Sequence, residues 1–353
     1  MRTEFSKALE RAGNLEELAR EDLVTLISAD DSDESQALFS LADSIRCRFM
    51  GDEVHFRGIV EFSNFCARNC LYCGLRKDNS ALKRYRMTPQ EIVESARRVA
   101  GLGCRTIVLQ SGEDGFYTAK ILADVIYRIK KEYDLAITVS VGERTRDDYA
   151  VFREAGADRY LLKHETSNPQ LFADLRPGTS LKGRVERLGW LRELGYQIGS
   201  GNMVGLPGQT VETLADDIII MRDMEVEMAG IGPFIPNGQT PLKDEKGGAL
   251  GISLKTLAAA RLALPRTHLA ATTATGTIHP TGRALALKSG ANVIMPNMTP
   301  SQYRENYLIY PGKTGITDTP EESYSRAVKT VESVGREISR DYGHSLRYRG
   351  KAM

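Results

Sequence analysis

The sequence predicts an α/β fold, a closed (β/α)8 barrel of the TIM type with a helical extension before it and a short helical tail after it. From residue 55, short runs rich in apolar and β-branched residues alternate with longer amphipathic segments. Such alternation indicates parallel βαβ units. The length of 353 residues is also one that barrels with insertions reach. An open doubly wound sheet is the alternative, and the eight regular units favour the closed barrel over it.

Three regions follow from this pattern. Residues 1–50 are predicted to be a helical extension, because apolar residues recur at helical spacing in 15–27 and 37–49. The barrel is assigned to residues 51–312 and the helical tail to residues 313–353. We find no low-complexity linker that would separate a second domain.

The individual elements are predicted from the same pattern. The strands cover residues 55–62, 105–110, 136–141, 159–163, 197–204, 228–234, 268–273 and 292–295. The helices begin near Thr88, Thr118, Thr145, Asn168, Leu181, Gln209, Leu254 and His279, and the tail helix spans 321–338. Thr88 followed by Pro89 is a strong helix start, because threonine caps free N–H groups and proline fits the first helical position.

Composition argues against several classes of protein. Lys and Arg number 47 against 46 Asp and Glu, a formal net charge of +1, and a nucleic-acid binder would normally carry a basic face. No apolar stretch reaches the roughly 18 residues of a membrane span, and the first residues contain no apolar secretory segment. We therefore expect a cytoplasmic protein with no nucleic-acid or membrane partner.

The five cysteines are the main chemical signal, and they are Cys47, Cys66, Cys70, Cys73 and Cys104. An odd number in a long chain argues against a disulfide framework. Three of them fall within eight residues directly after the first strand, where barrel enzymes place their chemistry. Three thiolates on one loop can each bind one iron of a cubane cluster and leave the fourth iron open.

The alternatives for the three clustered cysteines are a zinc loop and buried structural cysteines. A zinc loop would need a fourth ligand at matching spacing, and neither Cys104 nor His55 belongs to such a pair. Cys47 and Cys104 are expected to be small buried apolar residues rather than ligands.

The run Cys66-Ala-Arg-Asn-Cys70-Leu-Tyr-Cys73 after a first barrel strand resembles the radical S-adenosylmethionine (SAM) superfamily, as does the aromatic Tyr72 before the last cysteine. The resemblance implies a barrel of the radical SAM type, with one 4Fe–4S cluster held by these three cysteines and SAM bound to the open iron. It further implies an enzyme in which one electron from the cluster cleaves SAM to a 5′-deoxyadenosyl radical.

Polar residues at the ends of other strands are candidate contacts for such a cofactor. The run 110–114, QSGED, ends the second strand and resembles the family's glycine-rich turn, where Gly112 lets the backbone approach closely. Thr138 and Ser140 share one face of the third strand, and Glu165 lies at the carboxyl end of the fourth. Ordinary turn and strand polarity remain the alternative for these residues.

The opposite end of the barrel carries two arginines, Arg57 and Arg159, at the starts of strands one and four. With Thr272 and Thr273 of strand seven, they are predicted to form an anion-binding floor. Buried salt bridges between these arginines and nearby glutamates are the alternative.

Three tyrosines follow the eighth strand. Tyr303, Tyr307 and Tyr310 are spaced by four and three residues, which predicts one face of a helix. Packing and a substrate lid are equally good interpretations of this stripe.

A narrower resemblance covers residues 51–312. The runs TIVLQSGED, ADRYLLKHETSNP, GNMVGLPGQT, GIGPFIPNGQTPL, ATTATGTIHPTGR and GANVIMPNMTPSQYR are similar, in order, to those of the FeFe-hydrogenase maturase HydE family. The resemblance implies action on a cysteine-ligated Fe(CO)2(CN) synthon during H-cluster assembly, with radical attack on the cysteine sulfur. Implied partners are HydG and HydF-type maturases and a reductant such as ferredoxin or flavodoxin.

The same resemblance assigns site residues. SAM contacts are expected at Tyr72, Ser111, Gly112, Glu113, Thr138, Ser140, Glu165, Arg184, Met203 and Ile235. Contacts to the organometallic iron substrate are expected at Arg57, Arg159, Thr272, Thr273 and Tyr303.

One departure from the family and two competing functions remain. Some HydE proteins carry a second cysteine triad after the barrel, but residues 313–353 contain no cysteine, so a second cluster is not expected. The competing functions are a radical SAM mutase or synthase of the methylornithine synthase and biotin synthase group, acting on a small amino-acid-like molecule, and a non-catalytic iron–sulfur carrier.

Overall fold

The computed structural model describes residues 1–30 and 32–347, so the predicted polar end at 348–353 lies outside the described residues. The helices are α1 (Thr3–Gly13), α2 (Arg20–Ile27), α3 (Ser32–Met50), α4 (Pro89–Gly101), α5 (Ala119–Glu132), α6 (Arg146–Glu154), α7 (Pro169–Leu175), α8 (Leu181–Glu193), α9 (Val211–Asp223), α10 (Leu250–Ala263), α11 (Thr273–Ile278), α12 (Gly282–Lys288), α13 (Ser301–Arg304) and α14 (Pro320–Glu332). The strands are β1 (Glu53–Ser63), β2 (Thr106–Ser111), β3 (Ala136–Ser140), β4 (Arg159–Leu161), β5 (Gln197–Ser200), β6 (Met203–Val204), β7 (Met228–Ala229), β8 (Gly232–Pro233), β9 (His268–Leu269), β10 (Val293–Ile294) and β11 (Glu337–Ile338).

The central sheet is a closed barrel. Its strands pair in parallel in the order β10, β1, β2, β3, β4, β5, β7, β9. A bridge between Ala270 and Val293 joins the two ends of this order. Ten of the eleven residues of β1 are buried, as expected for a parallel strand that is covered on both faces. The predicted (β/α)8 barrel is confirmed.

The predicted strands 197–204 and 228–234 are each interrupted. Each divides into two short strands, and β6 and β8 pair in a separate two-stranded sheet. The interruption lies where the two chain segments approach closely, because a Cβ on Gly201 would stand 2.2 Å from the Gly230 carbonyl oxygen. Only glycine permits such an approach.

Helix boundaries differ from prediction in the extension and at two later helices. Residues 15–27 do not form one helix, because α1 ends at Gly13 and Leu15 has a φ of 62°. The helix predicted near Leu254 begins at Leu250. The helix predicted near His279 is replaced by α11 and α12, which lie on either side of it.

The helical extension is held against the outside of the barrel. Helix α2 lies on α9, and α3 lies on α10. Arg20 Nε donates to Asp216 Oδ1 at 2.6 Å, and Lys255 Nζ donates to the Ala29 carbonyl at 2.7 Å. Among the described helices, none is both long and apolar enough to cross a bilayer.

The C-terminal tail closes the amino end of the barrel. The helix predicted over 321–338 ends at Glu332, and the chain continues into β11, which pairs with the start of β1. The following residues run across the barrel floor, where the carbonyls of Tyr342 and Gly343 accept hydrogen bonds from barrel side chains. The tail thus covers the amino end of the barrel, and only the carboxyl end of the described barrel remains open.

Candidate active site

A cleft of about 230 Å³ opens at the carboxyl end of the barrel strands. It brings together residues that lie far apart in the sequence, since Cys66 and Arg184 both line it. The lining includes the three clustered cysteines and seven of the ten predicted cofactor contacts, namely Tyr72, Ser111, Gly112, Glu113, Ser140, Glu165 and Arg184. The lining also includes residues that were not predicted as contacts, among them Arg68, Gln110, Lys163, Arg176 and Tyr307.

The cysteine loop is held by backbone hydrogen bonds from two directions. Leu71 N donates to the Leu175 carbonyl at 2.9 Å, and Gly74 N donates to the Ile309 carbonyl at 2.8 Å. A Cβ on Gly74 would stand 2.0 Å from the Leu308 carbonyl oxygen. The loop is therefore packed against backbone on both sides of its cysteines.

Arg84 joins the two ends of the cysteine loop. Its guanidinium donates to the carbonyl of Asn64, before the first cysteine, at 2.6 Å. It also donates to the carbonyls of Leu75 and Arg76, after the last cysteine, at 2.9 and 2.6 Å. Sequence reasoning missed this residue, because nothing in its local pattern distinguishes it from a surface arginine.

Cys70 is buried and Cys66 and Cys73 are half-buried, and desolvation raises the pKa of all three thiols. Cys66 Sγ accepts backbone hydrogen bonds from Glu113 N at 3.4 Å and Arg68 N at 3.5 Å. Such donors favour a metal-bound thiolate over a neutral thiol.

Within residues 1–30 and 32–347, no three His, Cys, Asp or Glu side chains converge as ligands of one metal ion.

Gly112 packs against the cysteine loop. A Cβ there would stand 2.2 Å from the Phe65 carbonyl oxygen and 2.8 Å from Cys66 Cβ. The glycine in the QSGED turn is thus required by contact with the segment that carries the first cysteine. The close approach seen at Gly112 is to the protein's own backbone, and its contact with SAM stays a prediction.

A network of arginines and glutamates forms one wall of the cleft. Glu113 accepts from Arg68 Nε at 2.5 Å, and Glu143 accepts from Arg184 Nε at 2.9 Å. Arg184 also donates to the Lys163 carbonyl at 2.6 Å, and its Nη2 has no partner among the described residues. Since Arg184 is 2% exposed, this buried unpaired donor is available to an anionic ligand. Glu143 was not predicted, because it lies in a loop without a recognisable motif.

Glu165, which also lines the cleft, occupies a strained position. Its φ is 68°, a conformation that costs free energy for a residue other than glycine. Backbone hydrogen bonds from Glu165 N to the Gly201 carbonyl and from Met203 N to the Glu165 carbonyl, both at 3.0 Å, hold it there. Lys163 Nζ lies 3.6 Å from its carboxylate. Strain of this kind is typical of functional sites.

Three predicted contacts lie outside the cleft lining. Thr138 lines a smaller cavity deeper in the barrel, where its hydroxyl has no partner in the described part of the chain. Met203 packs on a small apolar cluster that includes Phe234 and that Tyr72 also contacts. Ile235 follows Phe234 in the chain and does not line the cleft.

Arg57 and Arg159, the two arginines at the amino end of the barrel, have different surroundings. Arg57 lines the deeper cavity of about 30 Å³, donates to the Gly343 carbonyl at 3.1 Å, and leaves its Nε without a partner within the described residues. Arg159 donates to the Tyr342 carbonyl at 2.6 Å and to Thr106 Oγ1 at 3.1 Å. Among the described residues, neither arginine forms a salt bridge with Glu61 or Glu165, the pairing that was the alternative prediction.

The other predicted substrate contacts, Thr272, Thr273 and Tyr303, line neither the cleft nor the deeper cavity. Thr272 caps α11 by accepting from Thr275 N at 3.3 Å, and Thr273 Oγ1 accepts from Arg283 Nη2 at 2.8 Å. Tyr303 Oη donates to Glu91 Oε1 at 2.6 Å, outside the cleft.

The single helical face predicted for the three tyrosines is also wrong. Helix α13 ends at Arg304, before the second tyrosine is reached. Tyr307, rather than Tyr303, lines the cleft.

The family follows from sequence identity to a known protein over nearly the whole chain. The sequence is 51% identical over 327 residues to the [FeFe] hydrogenase maturase subunit HydE of Thermotoga maritima, covering 93% of this chain and 94% of that protein. The chain belongs to the HydE family of radical SAM enzymes. The Radical SAM superfamily model matches residues 60–218, which contain the three clustered cysteines, Glu165 and Arg184.

Similarity to other radical SAM enzymes is weaker. The 3-methylornithine synthase of Methanosarcina acetivorans is 28% identical over 91% of this chain and 90% of that protein. The crystal structure of methylornithine synthase (PylB) superposes with a TM-score of 0.82 at 24% identity, covering 94% of this chain and 97% of that one. This likeness shows a shared barrel fold. Membership of the HydE family makes the chain an enzyme and excludes the interpretation as a non-catalytic carrier. The family implies a 4Fe–4S cluster and SAM as cofactors.

Proposed function

We propose that the chain is a HydE-type maturase that uses SAM to act on a cysteine-ligated Fe(CO)2(CN) synthon during assembly of the hydrogenase H-cluster. The observation that carries the proposal is the 51% identity to a HydE protein over 93% of the chain. Identity to a methylornithine synthase is 28%, so a mutase of that group is the weaker candidate.

We assign the cluster to Cys66, Cys70 and Cys73. Their side chains line one cleft, and Cys66 accepts two backbone hydrogen bonds that favour a thiolate. When bound, the cluster and SAM supply the one-electron cleavage that generates the 5′-deoxyadenosyl radical. The residues around the cleft position the cofactor and keep water away from it.

The cleft has the charges that the amino-acid end of SAM requires. Arg184 offers its buried Nη2, which has no partner in residues 1–30 and 32–347, to the SAM carboxylate. Glu113 and Glu165 offer carboxylates to the SAM ammonium and ribose hydroxyls. Tyr72, Ser111, Gly112 and Ser140 complete the lining. We place Thr138, Met203 and Ile235 around this site without direct cleft contact.

The iron substrate is assigned to the barrel interior below the cleft. Arg57 Nε and Thr138 Oγ1 are buried donors without partners among the described residues, and both residues line the deeper cavity. The cavity of about 30 Å³ has room for one small group, so a cyanide ligand of the complex, rather than the whole complex, would accept from both donors there. Arg159, Thr272, Thr273 and Tyr303 would act from outside this cavity. Tyr307 is the tyrosine placed to reach a bound substrate.

A reconstituted maturation reaction tests the proposal. The anaerobically reconstituted chain is added to apo-hydrogenase with HydG, HydF, SAM and a reductant, and hydrogen evolution is measured. We expect hydrogen evolution with the wild-type chain and none with Cys70→Ala. Equal activity without the chain, or formation of 3-methylornithine from supplied amino acids, would reject the proposal.

A further inference from the structure

Arg176 is a buried cation in the cleft that neither the sequence analysis nor the family resemblance assigned. It follows α7 directly, is 7% exposed, and lines the same cleft as the three cysteines. Its Nε has no hydrogen-bond partner in the part of the chain that the structure describes. A buried guanidinium with an unpaired donor is costly unless a ligand or a nearby negative charge compensates it.

The contacts of Arg176 tie it to Tyr72 in the cysteine loop. Arg176 Nη1 donates to Tyr72 Oη at 2.7 Å, and the preceding Leu175 carbonyl accepts from Leu71 N at 2.9 Å. The end of α7 therefore holds the loop at both residues between the second and third cysteines. Because Tyr72 also packs on the small apolar cluster at the cleft edge, its ring has a fixed orientation.

The Arg176 guanidinium interacts electrostatically with neighbouring groups in the cleft. Its Nη2 lies 3.9 Å from Glu113 Oε1. A fixed cation stabilises a negatively charged centre most when both are shielded from water. Net charge around a cluster is one of the factors that set its reduction potential.

We propose that Arg176 is a positioning residue of the cofactor site, which fixes the Tyr72 ring at the cleft edge and stabilises the reduced cluster. The inference rests on the proposed cluster and SAM site. Reduction adds one negative charge to a cluster that already carries three thiolates, so the Arg176 cation favours the reduced state. The fixed Tyr72 ring provides a preformed surface for SAM, which lowers the entropy lost on binding.

The test compares four variants, Arg176→Met, Arg176→Lys, Tyr72→Phe and the Tyr72→Phe/Arg176→Met double variant, with the wild type. Iron content, the midpoint potential of the cluster and the dissociation constant of SAM are measured anaerobically for each. Arg192→Met is the control, because Arg192 lies at the last turn of α8 and pairs with Glu225 on the surface.

We expect Arg176→Met to shift the midpoint potential to a more negative value and to weaken SAM binding roughly ten- to a hundred-fold, since a hydrogen bond to a charged group is lost. Arg176→Lys keeps the charge. The midpoint potential of its cluster should therefore lie close to the wild-type value, whereas its SAM affinity should remain reduced. In the double variant the SAM penalty should equal that of the larger single variant, because both changes break one interaction.

A wild-type potential and SAM affinity in Arg176→Met, or additive penalties in the double variant, would overturn the proposal. If the Met variant does not retain its cluster, the Lys variant decides, and an SAM affinity equal to wild type would overturn the Tyr72 role. If the wild type itself bound no SAM, the proposed function would fail, whereas the potential of Arg176→Met would still test the effect of the charge.

Discussion

At the scale of single residues, the cleft is built from charged side chains that reach it from separate loops. Glu143 is 5% exposed at its side chain and accepts from Arg184 and Arg68. Buried carboxylates of this kind require paired cations, and one donor of Arg184 has no partner within the described part of the chain. Glu165 is held in its strained conformation by backbone contacts.

Glu165→Ala and Arg184→Ala should each weaken SAM binding and leave the cluster intact. Loss of a charge-assisted contact costs about 1.5–3 kcal/mol, or roughly ten- to a hundred-fold in affinity. Equilibrium binding of SAM to the reconstituted protein, with iron content measured in parallel, checks the effect. Unchanged affinity in both variants would remove these residues from the SAM site.

Arg57→Met should leave SAM affinity unchanged and impair turnover of the iron substrate, because the side chain faces the deeper cavity rather than the cleft. Arg57→Lys, which keeps the charge, should recover part of the turnover. Maturation activity and SAM binding are measured on the same preparations. Full activity in the Met variant would show that no substrate anion uses this residue.

At the scale of elements, the strand-to-helix loops at the carboxyl end of the barrel carry the site. The turn after β2 packs its Gly112 against the backbone that leads into Cys66, and Arg84 joins the flanks of the cysteine loop. The cysteine loop is thus supported by two neighbouring segments, so its geometry depends on both.

Gly112→Ala should destabilise the protein and the cluster, since its Cβ would stand 2.2 Å from the Phe65 carbonyl oxygen. Overpacking of this kind costs about 1–3 kcal/mol. Gly115→Ala is the matched control, because a Cβ there meets nothing within 4 Å. Thermal melting and iron content distinguish the two. Equal behaviour of both variants would refute the role given to Gly112.

Much of this element-level arrangement could be predicted from local sequence. Alternating β-rich and amphipathic runs located the eight barrel strands, and the spacing of the cysteines located the metal loop. The paired residues Glu143 and Arg184 are 41 positions apart, and a local pattern carries no information on such a pairing. Tyr303 illustrates the same limit, because a regular helix was assumed beyond Arg304 and the chain turns there instead.

At the scale of the whole molecule, the C-terminal tail covers the amino end of the barrel and leaves the carboxyl end open. Arg159 and Tyr342 are 183 positions apart, and Arg57 and Gly343 are 286 apart. A local sequence pattern carries no information on contacts of this separation. The sequence therefore predicted an anion beside the two arginines, whereas the structure shows that tail carbonyls accept hydrogen bonds from both. The tail also brings Lys313 into a buried ion pair with Glu61.

Removal of residues 339–353 should lower the melting temperature and abolish turnover. The buried guanidinium groups of Arg57 and Arg159 would lose carbonyl acceptors, and each unsatisfied group costs about 1–3 kcal/mol or more. Differential scanning calorimetry of the truncated and full-length proteins measures the effect. A truncated protein with the full-length melting temperature would show that the tail is not part of the folded barrel.

The most direct test of the central claim is a measurement of iron content and 5′-deoxyadenosine formation in cysteine variants. The reduced wild-type protein should hold about four iron atoms per chain in one cluster and form 5′-deoxyadenosine from SAM. Cys66→Ala, Cys70→Ala and Cys73→Ala should each lose both properties, whereas Cys104→Ala should keep them. A full cluster in any of the first three variants, or no 5′-deoxyadenosine from the wild type, would contradict the account.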